Sequence, residues 1–560
     1  MSSARRARGT RPAPPVAAAA AGVGTAEVPL ARDPWAWLVL LAVVPLALRM
    51  AGAHWGEPVA EDFDFLRRAN LEGMGTLLDG GGSQAFWRPI PHQLYYAAFG
   101  RLILSSPAAV TVVHLMVLAL GALLVHRALR PSLGGPLACL AASFPLLGES
   151  TRTLASWPTQ FVDLGLWAAS ALALHGAARG RHGRALLALA LALLCKEVAV
   201  VTGVLLPLLP SAARTRRERL RFAAACAAVM AAWGLATLLV RRSAGLALPE
   251  RIAQSPEALS AGVLERFTWT LDATLRACWS LPRLAVPDSG WAGASALVLV
   301  VAALTVYALR GEARRRLAAQ RAWLGWGVAW FALGTLALTP IYPSWQPNRH
   351  QHASLGLGVA STVFLGAAHP ALAAANAVLR LVLLARAPGA VQLVEEAAPD
   401  AGAFMDWPRL TRLQHFMRAV RTTLAREFPK LPAGSVVVQQ NLPHGVEYAF
   451  GGDHALQVWY GDPSLRWMRF DDFRAAPETA VSVILEGDPG HEPPVGLVRP
   501  DAMRALFTAQ ALAFQGRYAE MPAWLDRADS LQGTLPAETF RLTSRTMREN
   551  ARIELRRSVR

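Results

Sequence analysis

Five stretches that nearly lack charge, Trp35–Met50, Val110–Val125, Phe222–Val240, Trp291–Leu309 and Trp323–Leu338, dominate what this chain can fold into. At 1.5 Å per helical residue, each crosses or nearly crosses a hydrocarbon core of roughly 30 Å. Composition agrees. The 560 residues are 53% hydrophobic and only 17% charged, where a soluble chain carries nearer a quarter charged. The expectation is an α-helical polytopic membrane protein with the lipid bilayer as its first partner.

A net charge of +17 invites comparison with nucleic-acid binders. The Lys and Arg residues instead cluster in short loops between apolar runs, as the positive-inside rule requires, so no nucleic-acid partner is expected. Cys139, Cys195, Cys226 and Cys278 lie in apolar stretches without CxxC spacing. They read as small core residues, neither disulfides nor metal ligands. Residues 1–33, Arg-rich and then Pro/Ala-rich, are expected to be disordered and cytoplasmic. Ala51-Gly52-Ala53 has the look of a signal-peptidase site, but the long n-region favours an uncleaved anchor.

With Arg5–Arg11 inside, Trp35–Met50 leads out, and the loop 52–88 is outside. Val110–Val125 returns to His126–Arg130. Gly135–Leu147 leads out to Glu149, Arg152 and Trp157, and Phe161–Leu174 returns to the basic run 179–184. Between there and the next inner loop, Arg214–Arg221, lie about 26 apolar residues, or roughly 39 Å of helix. That is too short for two full spans. A hairpin with its tip at Cys195-Lys196-Glu197 satisfies the charge rule; a single span breaks it. Phe222–Val240 leads out to a long segment, Arg241–Gly290, with an amphipathic stretch at Leu264–Leu284. Trp291–Leu309 comes in to Arg310–Arg321, and Trp323–Leu338 goes out to Tyr342–His352. Ala353–Leu384 holds two short passes broken at His369-Pro370, which puts the C-terminal portion outside; one tilted pass puts it inside.

Beyond residue 387 the character changes to a soluble α/β domain, 387–560. Val436–Gln440 and Val481–Leu485 read as strands. Asn441-Leu442-Pro443-His444-Gly445 reads as a turn, and 502–531 reads as a tetratricopeptide-like helical hairpin in single copy.

Charged groups beside a membrane are costly and often functional. Separate outer loops bring Glu61, Asp62 and Asp64; Arg88; Glu149 and Arg152; Lys196 and Glu197; and Arg349, His350 and His352 to one side. A carboxylate there can serve as general base, and an arginine can clamp phosphate. Each has a plainer reading: a solvated acid or helix cap, a snorkelling Arg88, a self-neutralised Lys196–Glu197 pair, interfacial anchoring at Arg349–His352. Asp62 and Asp64 have the spacing of a divalent-cation motif, which is common by chance; no other cofactor is implied. His114 reads as packed and bonded to a neighbouring helix. Asp453-His454 has no visible partner.

Four motifs, in order, carry a resemblance: Glu61-Asp62-Phe63-Asp64, Phe86-Trp87-Arg88-Pro89-Ile90, Leu193-Leu194-Cys195-Lys196-Glu197, and Pro347-Asn348-Arg349-His350-Gln351-His352-Ala353-Ser354. In them the chain resembles the GT-C membrane glycosyltransferases, in the branch of protein O-mannosyltransferase-like enzymes and their bacterial relatives. Arg-His where relatives often have Arg-Tyr is a departure, as is the single tetratricopeptide-like unit. The resemblance covers about Trp35–Ala385 and implies a GT-C-like transmembrane domain, 34–386, of about nine to twelve helices. It further implies a multi-pass protein of the bacterial inner membrane with an extracytoplasmic site. A sugar would come from a polyprenyl-phosphate carrier and pass to an unidentified acceptor with inversion. The base would be Asp62, with Glu61 the next choice. Arg88, Lys196, Arg349 and His350 would hold the donor phosphate, supported by Asp64, Glu149, Arg152, Glu197 and His352. Two other readings compete. A transporter or flippase for a lipid-linked anion would show an inverted repeat, and none is visible. A scaffold would make the outer carboxylates dispensable.

Overall fold

The structure, a computed structural model, describes residues 28–212, 215–247, 260–279, 290–342, 346–390, 405–443, 446–488 and 490–558. Residues 1–27 of the expected disordered segment, 280–284 of the amphipathic stretch and His444-Gly445 of the expected turn lie outside the described residues.

The first apolar run forms two helices, α1 (Pro34–Leu41) and α2 (Val43–Leu48), with Ala42 still in helical geometry between them. Asp33 caps the start, its carboxylate accepting from Ala36 N at 3.4 Å, and Pro34 occupies the first turn. The outer loop carries α3 (Asp62–Arg67), followed by α4 (Tyr95–Ser105), α5 (Pro107–Leu133), α6 (Gly135–Ser143), α7 (Thr151–Ser156) and α8 (Phe161–Ala178). Next come α9 (His182–Cys195), α10 (Ala199–Leu205) and α11 (Arg216–Ser243). Thr215 caps α11, with Glu218 N donating to Thr215 Oγ1 at 3.1 Å.

The chain does double back at Lys196. The break there is extended backbone (φ −160°, ψ 141°). Thr202 of α10 bonds Ser170 of α8 at 3.0 Å, and His182 at the start of α9 reaches Ala212 O at 2.9 Å. Both feet of the hairpin therefore lie on one side, as the charge rule demanded.

The amphipathic stretch forms α12 (Val263–Cys278). It is followed by α13 (Gly290–Leu309) and α14 (Gly311–Ala319), then α15 (Arg321–Leu336), α16 (Gln351–Ala368) and α17 (Pro370–Arg386). The basic connection 310–321, read as a loop, is largely helical. Glu312, Ala313 and the Arg and Leu residues after it are good helix formers, and the chain bends by 109° between Gly293–Leu309 and Gly311–Ala319.

Among the described residues, four helices are long and apolar enough to cross a membrane: Pro107–Leu133, Pro158–Ala178, Arg216–Ser243 and Arg321–Ile341. The bent pair, three shorter apolar helices and the α16–α17 pair complete a polytopic helical architecture.

Two polar knots mark its ends. At one, Asp33 meets His126 at 3.3 Å and Arg130 at 3.2 Å. At the other, Arg152 donates to Glu149 Oε1 at 2.6 Å, Arg49 O at 3.1 Å and Pro388 O at 2.7 Å. Because α17 ends in this second knot, the chain leaves it on the side of the 52–88 loop.

The remainder begins with α18 (Trp407–Glu427). Strands β1 (Val436–Gln440), β2 (Arg466–Arg469), β3 (Val483–Gly487) and β4 (Val495–Val498) form one sheet in the order β2-β1-β3-β4. β1 pairs parallel with β2 and β3, and β3 antiparallel with β4, with Val438 opposite Ile484 and Leu485 opposite Leu497. β3 is buried along its whole length, which its Val-Ile-Leu run suits. Its start lies two residues later than the sequence pattern placed it. Between strands sit α19 (His454–Tyr460) and α20 (Phe470–Ala475); then come α21 (Pro500–Phe514), α22 (Met521–Gln532) and α23 (Glu538–Ser558). Trp407, Phe416, Val420, Ala449 and Phe450 join the same apolar cluster as the membrane-type helices.

Candidate active site

The turn before α3 holds the first group. Ala60 adopts a left-handed conformation (φ 56°) that costs an alanine about 1 kcal/mol or more. Its N–H donates to Ala449 O at 2.7 Å, so a segment almost 400 residues downstream holds the turn.

Glu61 and Asp62 then part company. Asp62 is fully buried. Oδ1 accepts from Tyr96 OH at 2.6 Å, and Oδ2 accepts from Val59 N at 2.8 Å and Trp157 Nε1 at 3.0 Å. Burial raises its carboxyl to about 7, against the bonds from Tyr96, Val59 and Thr159. With both oxygens committed and none open to solvent, Asp62 is a cross-link between loops. The first choice of base is thus closed to solvent, while Glu61 is open to it.

Glu61 is open to solvent. Even so, enclosure by protein is the largest influence on its carboxyl and raises it; neighbouring Asp64 adds to the rise, and Arg349 and Arg88 oppose it. It therefore stands in a recess reached by water. Asp64 turns elsewhere, to His454 Nδ1 at 2.6 Å. In a helix residues two apart do not share a face, so Asp62 and Asp64 have separate partners. No group of three or more His, Cys, Asp or Glu side chains among the described residues is disposed to hold a metal ion.

The basic side of the recess has three cations. Arg88 grips Glu197 with both ends of its fork, Nε to Oε2 at 3.0 Å and Nη2 to Oε1 at 2.6 Å, and stacks on Phe86 with 4.0 Å to the ring centroid. Glu197 is held down to about 2, burial being outweighed by Arg88 and Lys196 together. Lys196, at the tip of the α9–α10 hairpin, lies 2.7 and 2.8 Å from the two oxygens of Asp163. Lys196 and Glu197 do not neutralise each other. Each has a partner on another element, which explains how two charges sit between apolar flanks. Arg349, on the short turn Pro347–His350, donates from Nε to Gln346 at 3.3 Å. Among the described residues it has no carboxylate within 4.0 Å, though Asp163, Glu61 and Glu197 all act on it electrostatically.

The other candidates point away. Glu149 and Arg152 are both buried and tie Arg49, Pro388 and Trp407 together, with Arg152 stacked 4.7 Å from the Trp407 ring. His350 is buried, its Nδ1 bonded to Pro347 O at 2.6 Å and Ser150 Oγ at 3.2 Å. His352 is buried in α16 against Thr202 at 3.0 Å and Trp330. His114 bonds Tyr95 OH at 2.9 Å and Ala155 O at 3.0 Å, as a packed histidine should.

Three contributors were given no role in the sequence reading. Asp163 is a carboxylate opening an apolar run, the same kind of signal that singled out Lys196. His454 and Tyr448, from the segment before and within α19, reach the Glu61 turn only through tertiary packing; Tyr448 feels Glu61, Asp62 and Asp64. A cavity of about 560 Å³ between α18, Leu104 and Trp459 contains none of these charged groups.

No protein-family model matches the chain, and no curated protein matches it. Among solved structures, the crystal structure of ArnT from Cupriavidus metallidurans bound to undecaprenyl phosphate is similar to it. The TM-score is 0.36 and the identity 13%, over 81% of this chain and 94% of that one.

Proposed function

We propose that this protein is a membrane glycosyltransferase that moves a sugar from a polyprenyl-phosphate carrier to an acceptor hydroxyl on the extracytoplasmic face of the inner membrane. One observation carries the reading. Glu61, a solvent-reached carboxylate whose proton affinity is raised, lies within electrostatic reach of Arg349, a guanidinium with no carboxylate within 4.0 Å among the described residues. A base and an anion clamp thus share one recess.

Glu61 takes the acceptor's proton as its oxygen bonds the anomeric carbon. The bond from that carbon to the carrier phosphate breaks, and the phosphate leaves with the electron pair. Arg349 holds the charge that develops there, and such groundwork is often the largest catalytic contribution. Arg88 and Lys196, fixed by Glu197 and Asp163, add positive field without having to be ordered during the reaction. Asp62 positions Glu61 through the turn it shares with Trp157 and Tyr96. This revises the sequence-based roles: Glu61 replaces Asp62 as base, and His350 leaves the phosphate site.

The test is transfer from radiolabelled polyprenyl-phosphate mannose, glucose or galactose in membranes carrying wild type, Glu61→Gln or Arg349→Ala. Glu61→Gln should lose about 10²–10⁴-fold with normal expression, and Arg349→Ala should lose a comparable factor. Full activity in Glu61→Gln overturns the base assignment. No transfer by wild type from any of the donors counts against the enzyme reading and favours a carrier of lipid-linked anions.

A further inference from the structure

Arg380 stands apart from this recess. It lies in α17, six residues before Arg386 and so about 9 Å along the axis from the helix end. That end abuts the knot formed by Arg49 and Arg152. The side chain is 1% exposed, and Nε, Nη1 and Nη2 all lack a hydrogen-bond partner. Its guanidinium lies 3.5 Å over the centre of the Phe144 ring. Among the described residues no carboxylate acts on it; its titratable neighbours there are Cys278 and His350.

A guanidinium does not discharge in proteins, and a buried charge without a counter-ion is costly to fold. Stacking on one phenyl face offsets only part of that cost. An ionisable group this deep in a membrane-type bundle points to function, with an opposite charge as its partner.

A second unbonded donor borders the same ring. Trp279, directly after α12, packs edge-on against the same Phe144 ring at 6.0 Å, and its Nε1 is buried and unbonded. On the other flank, His350 fixes Nδ1 on Pro347 O, and its free Nε2 lies 3.3 Å from where a Cβ on Gly148 would sit. The stretch Phe144–Gly148 thus gathers unbonded polar atoms from three separate elements. A planar fork of N–H donors with an indole N–H alongside matches the oxygens of a phosphate group. The site lies one or two helical turns from the end of α17.

We propose that Arg380 and Trp279 form a phosphate-binding site under α12, distinct from the Glu61–Arg349 recess and occupied by free phosphate or by an anionic phospholipid headgroup. Loading this site neutralises the buried charge and clamps α12 to α17. The proposal does not depend on the glycosyltransferase reading.

The experiment uses the purified, delipidated full chain in detergent, as wild type, Arg380→Met and Arg380→Lys. Melting is followed while inorganic phosphate, or phosphatidylglycerol against phosphatidylcholine, is added at constant ionic strength. Without ligand, Arg380→Met should melt at or above the wild-type temperature, since it removes an uncompensated charge. Wild type should then gain several degrees with one of the two ligands, Arg380→Lys part of that gain, and Arg380→Met none. A gain with inorganic phosphate alone identifies the free ion; a gain only with phosphatidylglycerol identifies the headgroup. Equal gains in wild type and Arg380→Met overturn the site. So does no gain in wild type with either, or a ligand-free Arg380→Met that melts well below wild type.

Discussion

Replacing Asp62 separates structural from chemical roles more cleanly than any other change in the outer loop. Asp62→Ala strands three donors, Tyr96 OH, Val59 N and Trp157 Nε1, in a site with no solvent access. An unsatisfied buried donor costs about 1–3 kcal/mol, so the variant should lose roughly 3–6 kcal/mol after partial relaxation. Asp62→Asn is milder. Its carbonyl oxygen can keep Val59 N and Trp157 Nε1, and the Tyr96 hydroxyl can turn to accept from the new amide. That change should cost about 1 kcal/mol. Thermal melting in detergent reads the stabilities, and transfer per folded molecule reads the chemistry. Asp62→Asn should keep most of its activity per folded molecule and Glu61→Gln almost none, while Glu61→Gln, at an exposed position, should melt like wild type. Asp62→Asn that is fully stable yet inactive by more than a hundredfold would refute the division of labour and return the base to Asp62.

Two further outcomes follow from the same region. The Asp62 carboxyl rises from near 4 to about 7 on folding, so the native state binds the extra proton. Its contribution is therefore complete below about pH 4 and lost as pH climbs through 7, a span of roughly 4 kcal/mol; melting temperature against pH should slope down across that window and flatten in Asp62→Asn. Lys196→Met leaves Asp163 charged and buried, which should cost about 3–5 kcal/mol, and the double change with Asp163→Leu should recover most of it; no recovery in the double variant would refute the pairing as the source of the loss.

How much of this was legible beforehand depended on range. Apolar runs and their basic boundaries placed the spans, the break at His369-Pro370 and the hairpin at Lys196, because membrane insertion is governed by local hydropathy and charge. The gathering of Glu61, Arg88, Lys196 and Arg349 on one side followed from the same topology. What stayed hidden was orientation within a few residues. Glu61 and Asp62 are neighbours of like chemistry, and only the left-handed Ala60 and the donors on Trp157 and Tyr96 decide which carboxylate faces water. Likewise Arg349 and His350 are adjacent in sequence but serve opposite sides of a short turn. Arg380 interrupts the apolar run Ala353–Leu384 but was given no role there; its burial is visible only once α12 and Phe144 are in place.

The C-terminal segment is the least foreseeable part of the site, and its contacts bear on how the recess works. Ala449 O bonds the strained Ala60, His454 takes Asp64, and Gln457 Oε1 accepts from Arg67 Nε at 2.7 Å. Ala60, Asp64 and Arg67, in and after the turn that presents Glu61, are thus held from one downstream stretch. A left-handed alanine persists only where its surroundings over-determine it, and here they come from a segment almost 400 residues downstream. An in-line displacement puts the acceptor opposite the leaving phosphate, away from Arg349 and Arg88. The side of Glu61 that remains is the one bordered by Asp64, Tyr448 and His454. On the proposed reading, the C-terminal segment holds the turn that presents Glu61, so Ala449 and His454 bear on transfer; His454→Ala should lower transfer per folded molecule, and unchanged transfer in that variant would refute the coupling.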